Sequence, residues 1–181
     1  MKITETKIRG CFIFEPKVFN DKRGYFLESY NKEIFKDIIG NDIKFVQDNE
    51  SFSSRGVLRG LHYQKGEHAQ AKLVRVVKGK VLDVVVDLRK ESPTFGEHVT
   101  VELTEENKKQ LYVPRGFAHG FVVLSDTAIF SYKCDNFYNK ESERGIIYND
   151  KDLKIDWRLD EEDIIISEKD KLSPNFRSLK L

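Results

Sequence analysis

Residues 72–88 read KLVRVVKGKVLDVVVDL, two runs rich in β-branched residues meeting at Lys78-Gly79. Branching at Cβ restricts χ1 in a helix and suits the pleated surface of a sheet. The segment therefore reads as two strands, and the Lys78-Gly79 turn predicts an antiparallel hairpin. Further short β-rich runs follow the same logic: Cys11–Phe14, Tyr25–Tyr30, Lys44–Asn49, Val57–Gln64, Val99–Leu103, Gln110–Val113, Ala118–Leu124, Ala128–Lys133 and Ile146–Tyr148. Many short strands with turn residues at close spacing imply a sandwich, jelly roll or barrel. Helix is minor. Lys32–Ile39 is the best candidate, with Asn31 as N-cap and Gly40 as stop, and Thr104 caps a short turn through Asn107. Pro174 forbids a long terminal helix.

The 181 residues suit a single domain spanning 1–181 with a sizeable core. Thirty-one Lys and Arg nearly balance thirty Asp and Glu, so no global field argues for nucleic acid or a membrane surface. One or two arginines still suffice to bind a small anion. Cys11 and Cys134 are expected as free thiols, and two cysteines make no disulfide framework. No segment has the apolar run of a signal peptide or a membrane span, which leads to the expectation of a cytoplasmic protein.

Alternation along the strands locates polar side chains on apolar faces. Lys72 shares a face with Val74 and Val76, as either a snorkelling strand end or a functional cation. His119 falls with Phe121 and Val123, and Tyr132 with Ala128 and Phe130. Each of these fits a hydrogen-bonded structural residue as well as a functional one. Strict alternation puts His62 with Leu58 and Gln64, opposite Arg59. Both can serve one cavity only if Gly60 introduces a bulge or bend. Tyr138 falls in a loop. The four histidines, at 62, 68, 98 and 119, form no metal-ligand spacing, and no phosphate-binding glycine loop or G-x-S-x-G segment occurs.

Taken jointly, the segments DKRGYFLESY (21–30), FVQDNESFSSRGVLRGLHYQ (45–64), QAKLVRVVKGKVLDVVVDLRKESPTFGEH (70–98), LYVPRGFAHGFVVLS (111–125) and YKCDNFYNKESERGIIYND (132–150) make the chain resemble the dTDP-4-dehydrorhamnose 3,5-epimerases nearly end to end. The resemblance implies a cupin-type jelly roll, a homodimer, no metal or organic cofactor, and a dTDP-linked 4-keto-6-deoxy sugar as ligand. It implies roles as well: His62 as base, Tyr132 as proton donor, Lys72 beside the sugar carbonyl, and Asp170 of SEKD orienting the histidine. By the same resemblance Arg23, Glu28, Gln47, Asn49, Arg59, His119, Glu143 and Lys169 match substrate contacts, and Tyr138 matches an aromatic stacking on thymine. The chain departs from the usual family pattern at Tyr148-Asn149-Asp150-Lys151 and at Trp157-Arg158, outside the segments with assigned roles.

The implied chemistry suits these side chains. A 4-keto group acidifies the hydrogens on C3 and C5, so inversion needs a base of near-neutral pKa, an acid across the ring and a cation at the developing enolate oxygen. Rival readings are a C3-only epimerase, a metal-dependent cupin, and a sugar-nucleotide-binding module without activity.

Overall fold

The computed structural model describes residues 1–40 and 43–180. In chain order its strands are β1 (Lys2–Glu5), β2 (Phe12–Glu15), β3 (Val18–Asp21), β4 (Gly24–Leu27), β5 (Gln47–Ser54), β6 (Val57–Gln64), β7 (Lys72–Lys78), β8 (Lys80–Asp87), β9 (His98–Thr104), β10 (Gln110–Val113), β11 (Phe117–Val123), β12 (Thr127–Cys134), β13 (Glu143–Gly145) and β14 (Ile165–Ile166). Helix α1 (Lys32–Ile39) lies between β4 and β5, and α2 (Glu168–Lys171) follows β14. One sheet runs β1-β2-β10-β7-β12-β5 and a second runs β13-β6-β11-β8-β9, with β14 parallel to β6. A separate hairpin pairs β3 with β4. The two large sheets form a cupin-type jelly roll.

Hydrophobic side chains from both sheets fill the space between them. Val74, Val76 and Phe130 project from the first sheet, and Val81, Val85, Leu103 and Phe121 from the second. The outer face of the second sheet, with Leu58, Leu82, Val84 and Val122, is covered by Leu153 and Trp157 of the C-terminal segment. The outer face of the first is covered by α1, whose Phe35 stacks on Phe14 with ring centroids 4.3 Å apart. The expected caps of α1 are present: the Asn31 side chain accepts from the Glu33 N–H, and the Gly40 N–H donates to Lys36. Thr104 Oγ1 accepts from the N–H groups of Glu106 and Asn107, closing a turn.

The expected hairpin at Lys78-Gly79 is corrected by the fold. β7 and β8 are consecutive but lie in opposite sheets, β7 between β10 and β12, β8 between β11 and β9. The chain turns the corner at Gly79, whose φ of +80° and closeness to Thr127 O (2.0 Å from an added Cβ) leave no room for a side chain. Each strand is sandwiched between two others, so both of its edges and both of its faces are satisfied. A hairpin would satisfy only one edge of each. Other boundaries also moved. β5 runs on to Ser54, through a polar stretch that alternates between half-buried and exposed positions. The run 146–148 is not a strand; β13 precedes it, and Ile146 is a buried core residue.

Candidate active site

One end of the jelly roll is open, and two lobes of about 360 and 500 Å³ meet there at a waist formed by His62, Lys72, His119 and Tyr132. Four strands deliver these groups: β6, β7, β11 and β12. The parities expected for Lys72, His119 and Tyr132 hold, since Val74, Val76, Phe121, Val123, Ala128 and Phe130 all belong to the inner core.

His62 reaches the waist through the irregularity that the sequence demanded. Between the pairs His119↔His62 and Phe121↔Arg59, two residues of β6, Gly60 and Leu61, stand opposite one of β11, Gly120. Gly60 sits at this bulge with φ +131°, and its Cα faces Gly120 so closely that an added Cβ would lie 2.6 Å from the Gly120 Cα. The extra residue resets the parity. Leu58, Leu61 and Tyr63 pack outward in the second core, while Arg59 and His62 both line the cavity. Strict alternation had placed His62 with Leu58; the bulge separates them.

Asp170 comes from the far end of the chain. Ser167 caps α2 by accepting from the Asp170 N–H, and the short helix presents the carboxylate to β6. Asp170 Oδ1 lies 2.7 Å from His62 Nε2, and its Oδ2 accepts from the Gly60 N–H at 3.5 Å. Burial raises the Asp170 pKa, but the hydrogen bond and charge of His62 outweigh it and hold the carboxyl below its usual value. The carboxylate therefore accepts a proton-bearing Nε2, which leaves Nδ1 of His62 with its lone pair free to act as a base.

Across the waist, burial pushes the Tyr132 hydroxyl pKa up, with Cys134 and Glu143 adding to the effect and Arg59 opposing it, so the phenol keeps its proton. Burial pulls the Lys72 pKa down, and Cys134, Asp83 and Glu143 oppose that fall. The Lys72 ammonium lies 5.7 Å from the Tyr132 ring centroid. One wall carries neutral polar groups. Gln47 Nε2 donates to Asn49 Oδ1 at 2.9 Å, and Asn49 Nδ2 approaches Cys134 Sγ at 3.6 Å.

At the mouth, Arg59 Nε donates to Ser53 Oγ at 3.1 Å. Glu143 accepts from Lys169 at 2.5 Å and from the exposed Tyr138 hydroxyl at 2.9 Å. Burial would raise the Glu143 pKa, but these two donors lower it on balance. Arg23 and Glu28 lie outside the cavity: Arg23 is exposed in the β3–β4 turn and paired with Asp21, and Glu28 accepts from Asn31 Nδ2.

Two further polar residues, one lining the cavity and one buried behind its wall, carry no role in the sequence analysis. Gln64 is buried and ties down the loop carrying Tyr138, donating to Phe137 O and accepting from the Asn139 N–H. Asp83 is fully buried, with both carboxylate oxygens about 3 Å from His119 Nε2. Its signal was present: a lone carboxylate in an apolar run, on the same face as Val81 and Val85. Among the described residues no group of three or more His, Cys, Asp and Glu is arranged to hold a metal ion.

A carboxylate-backed histidine, a protonated tyrosine and a half-buried lysine around one cavity mark a jelly-roll enzyme whose site suits acid–base proton transfer. The family model described as dTDP-4-dehydrorhamnose 3,5-epimerase matches residues 5–178, and the chain belongs to this family. A dTDP-4-dehydrorhamnose 3,5-epimerase of Shigella flexneri is 55% identical over 170 residues, covering 94% of this chain and 93% of the relative. The crystal structure of the Elizabethkingia anophelis epimerase superposes with a TM-score of 0.94 at 61% identity, covering 98% of this chain and 97% of that one. The Legionella pneumophila enzyme, solved in complex with dTDP-4-keto-L-rhamnose, also gives 0.94, at 48% identity over 98% of this chain and 94% of that one.

Proposed function

We propose that this enzyme inverts C3 and C5 of dTDP-4-keto-6-deoxy-D-glucose, giving dTDP-4-keto-L-rhamnose. The observation that carries the mechanism is the 2.7 Å His62–Asp170 contact beside Tyr132 and Lys72 at the waist of the cavity. His62 Nδ1 takes the proton from one carbon next to the carbonyl. The electron pair of that C–H bond becomes the enolate, whose charge on the 4-oxygen the Lys72 ammonium stabilises. Tyr132 delivers a proton to the opposite face of the same carbon and regains one from solvent. His62 releases its proton, and the sequence repeats at the second carbon. The substrate's own ketone holds the carbanion charge, so the steps need no metal or organic cofactor.

Arg59 suits the diphosphate, because a guanidinium pairs with two phosphate oxygens at once. Tyr138 offers an exposed ring for the thymine, Gln47 and Asn49 offer amides to sugar oxygens, and His119 lines both lobes. Glu143 and Lys169 frame the mouth, already paired with each other. Arg23 and Glu28 act on the substrate from a second copy of the chain. In support, the β3–β4 hairpin that carries Arg23 holds Phe19 and Phe26 at 51% and 65% exposure, an apolar surface suited to a homodimer contact. The enzyme works as one domain in the cytoplasm, in keeping with two buried free thiols and with no described helix long and apolar enough to cross a membrane.

Solvent deuterium wash-in tests the function. Incubation with the 4-keto sugar nucleotide in deuterated water labels C3 and C5. No label at either carbon with folded protein refutes the assignment, and label at C3 alone makes the protein a C3-only epimerase.

A further inference from the structure

His62 and His119 are direct cross-strand partners on the inner face of the second sheet, and each has its own carboxylate. The mechanism uses the His62–Asp170 pair and leaves the other unexplained. Asp83 is 0% exposed and stands between Val81 and Val85 on the inner face of β8. A carboxylate in that position loses its hydration and needs compensating positive charge. Its hydrogen-bond partner is His119 Nε2, with both oxygens engaged. Lys72 projects from the facing sheet: burial raises the Asp83 pKa and lowers that of Lys72, and each group opposes the other's shift.

We propose that Asp83 is a positioning residue for the epimerisation: its carboxylate fixes the His119 ring and keeps Lys72 charged across the cavity. The first effect follows from geometry. With Nε2 taken by Asp83, only Nδ1 of His119 is left for a ligand. The second effect follows from charge. Lys72 is half-buried and lines the cavity beside His62, His119, Tyr132, Cys134 and Glu143. Cys134 and Tyr132 keep their protons at neutral pH because burial raises both. Glu143 is already neutralised by Lys169 at the mouth. Asp83 therefore remains as the carboxyl group that opposes the effect of burial on the Lys72 ammonium; burial raises its own pKa, and the hydrogen bond and charge of His119 and the charge of Lys72 oppose that rise.

This inference rests on the proposed epimerisation, and the two fail separately: wash-in by the wild-type enzyme tests the reaction, and the variant tests Asp83. In Asp83→Asn, kcat is expected to fall about 10–100-fold, by analogy with loss of a carboxylate that orients a metal-bound histidine. The alkaline limb of kcat/KM should also move to lower pH, because Lys72 then loses its proton more readily. The affinity for dTDP, which lacks the sugar, should stay within about threefold. An unshifted alkaline limb, or a kcat loss matched by an equal loss of dTDP affinity, overturns the proposal. A direct measurement covers the case in which the variant does not fold. Amine-reactive labelling of Lys72 in the wild-type enzyme, followed by mass spectrometry across pH, should show the amine protected through neutrality. Half-maximal labelling below pH ~7 would mean a neutral lysine at working pH and would overturn the proposal as well.

Discussion

Replacing Asp170 by Asn changes one atom and tests the proposed base directly. The wild-type carboxylate lies 2.7 Å from His62 Nε2 and is 5% exposed, so solvent does not substitute for it. An asparagine amide at this site can donate to Nε2, which moves the ring proton to Nδ1. The nitrogen facing the sugar then has no lone pair, and proton abstraction stops until the ring turns or changes tautomer. If the amide accepts instead, the tautomer survives but the imidazolium formed during the reaction loses its counter-charge. The second case resembles loss of a ligand-orienting carboxylate, roughly 10–100-fold, and the first resembles the tautomer defect of a catalytic triad, about 10⁴-fold. The expected fall in kcat therefore lies between about 10- and 10⁴-fold, or about 1.4–5.4 kcal/mol of activation free energy. Affinity for dTDP should barely change, because Asp170 contacts His62, the Gly60 N–H and its own helix cap. The assay is initial-rate kinetics with deuterium wash-in, plus dTDP titration by calorimetry. A kcat within about threefold of wild type, or wash-in at an undiminished rate, would refute the assignment of Asp170 as the partner of the base.

Tyr132→Phe should lower epimerised product by about 10²–10⁴-fold, the usual contribution of a positioned acid, while the residual enzyme still washes deuterium into the substrate without inverting it; retained epimerisation at half the wild-type rate would reassign the donor. Gly60→Ala places a methyl 2.6 Å from the Gly120 Cα and 2.9 Å from His119 O, both backbone atoms, and also strains φ. We expect a loss on the order of 3 kcal/mol, read as a lowered melting temperature with activity falling in parallel. Asp87 provides a pH test away from the site. Burial raises its carboxyl pKa, but donors from Arg89, Ser92 and Thr94 outweigh that and bring it down to about 2. A depressed pKa contributes stability that is complete above the unfolded value and is lost as pH falls through the folded one. Denaturant titrations of wild type should thus lose on the order of 2 kcal/mol between about pH 4 and pH 2, and Asp87→Asn should flatten that part of the curve. Double substitution of Phe19 and Phe26 by Ser should shift sedimentation toward a smaller species and weaken turnover together; unchanged sedimentation would remove the hairpin from the homodimer contact.

Several features were legible in the chain itself because they depend on neighbours a few residues away. The caps of α1 at Asn31 and Gly40 are local hydrogen bonds. The inward parity of Lys72, His119 and Tyr132 follows from the two-residue period of a strand, whatever that strand pairs with. The need for an irregularity at Gly60 was also local, since no regular strand puts Arg59 and His62 on one side. The family likeness added the roles, and the cavity brings His62, Lys72, His119 and Tyr132 to one waist.

Other features depended on the assembled sheets. Whether the strands meeting at Gly79 pair with each other or part into opposite sheets is decided by which edges β10, β11 and β12 occupy, and those lie 20 or more residues further on. The polar run of β5 lacks an apolar alternation because its inner face looks into the cavity rather than the core. Asp83 reads as an oddity in a hydrophobic strand until His119 is placed beside it from β11. Asp170 meets His62 across 108 residues of chain, through a four-residue helix that no periodicity announces. Local patterns fix which face a side chain takes, because that is geometry within one strand. They do not fix what the face meets, because a partner is chosen by burying both sides of every strand at once, and only the closed structure satisfies that condition.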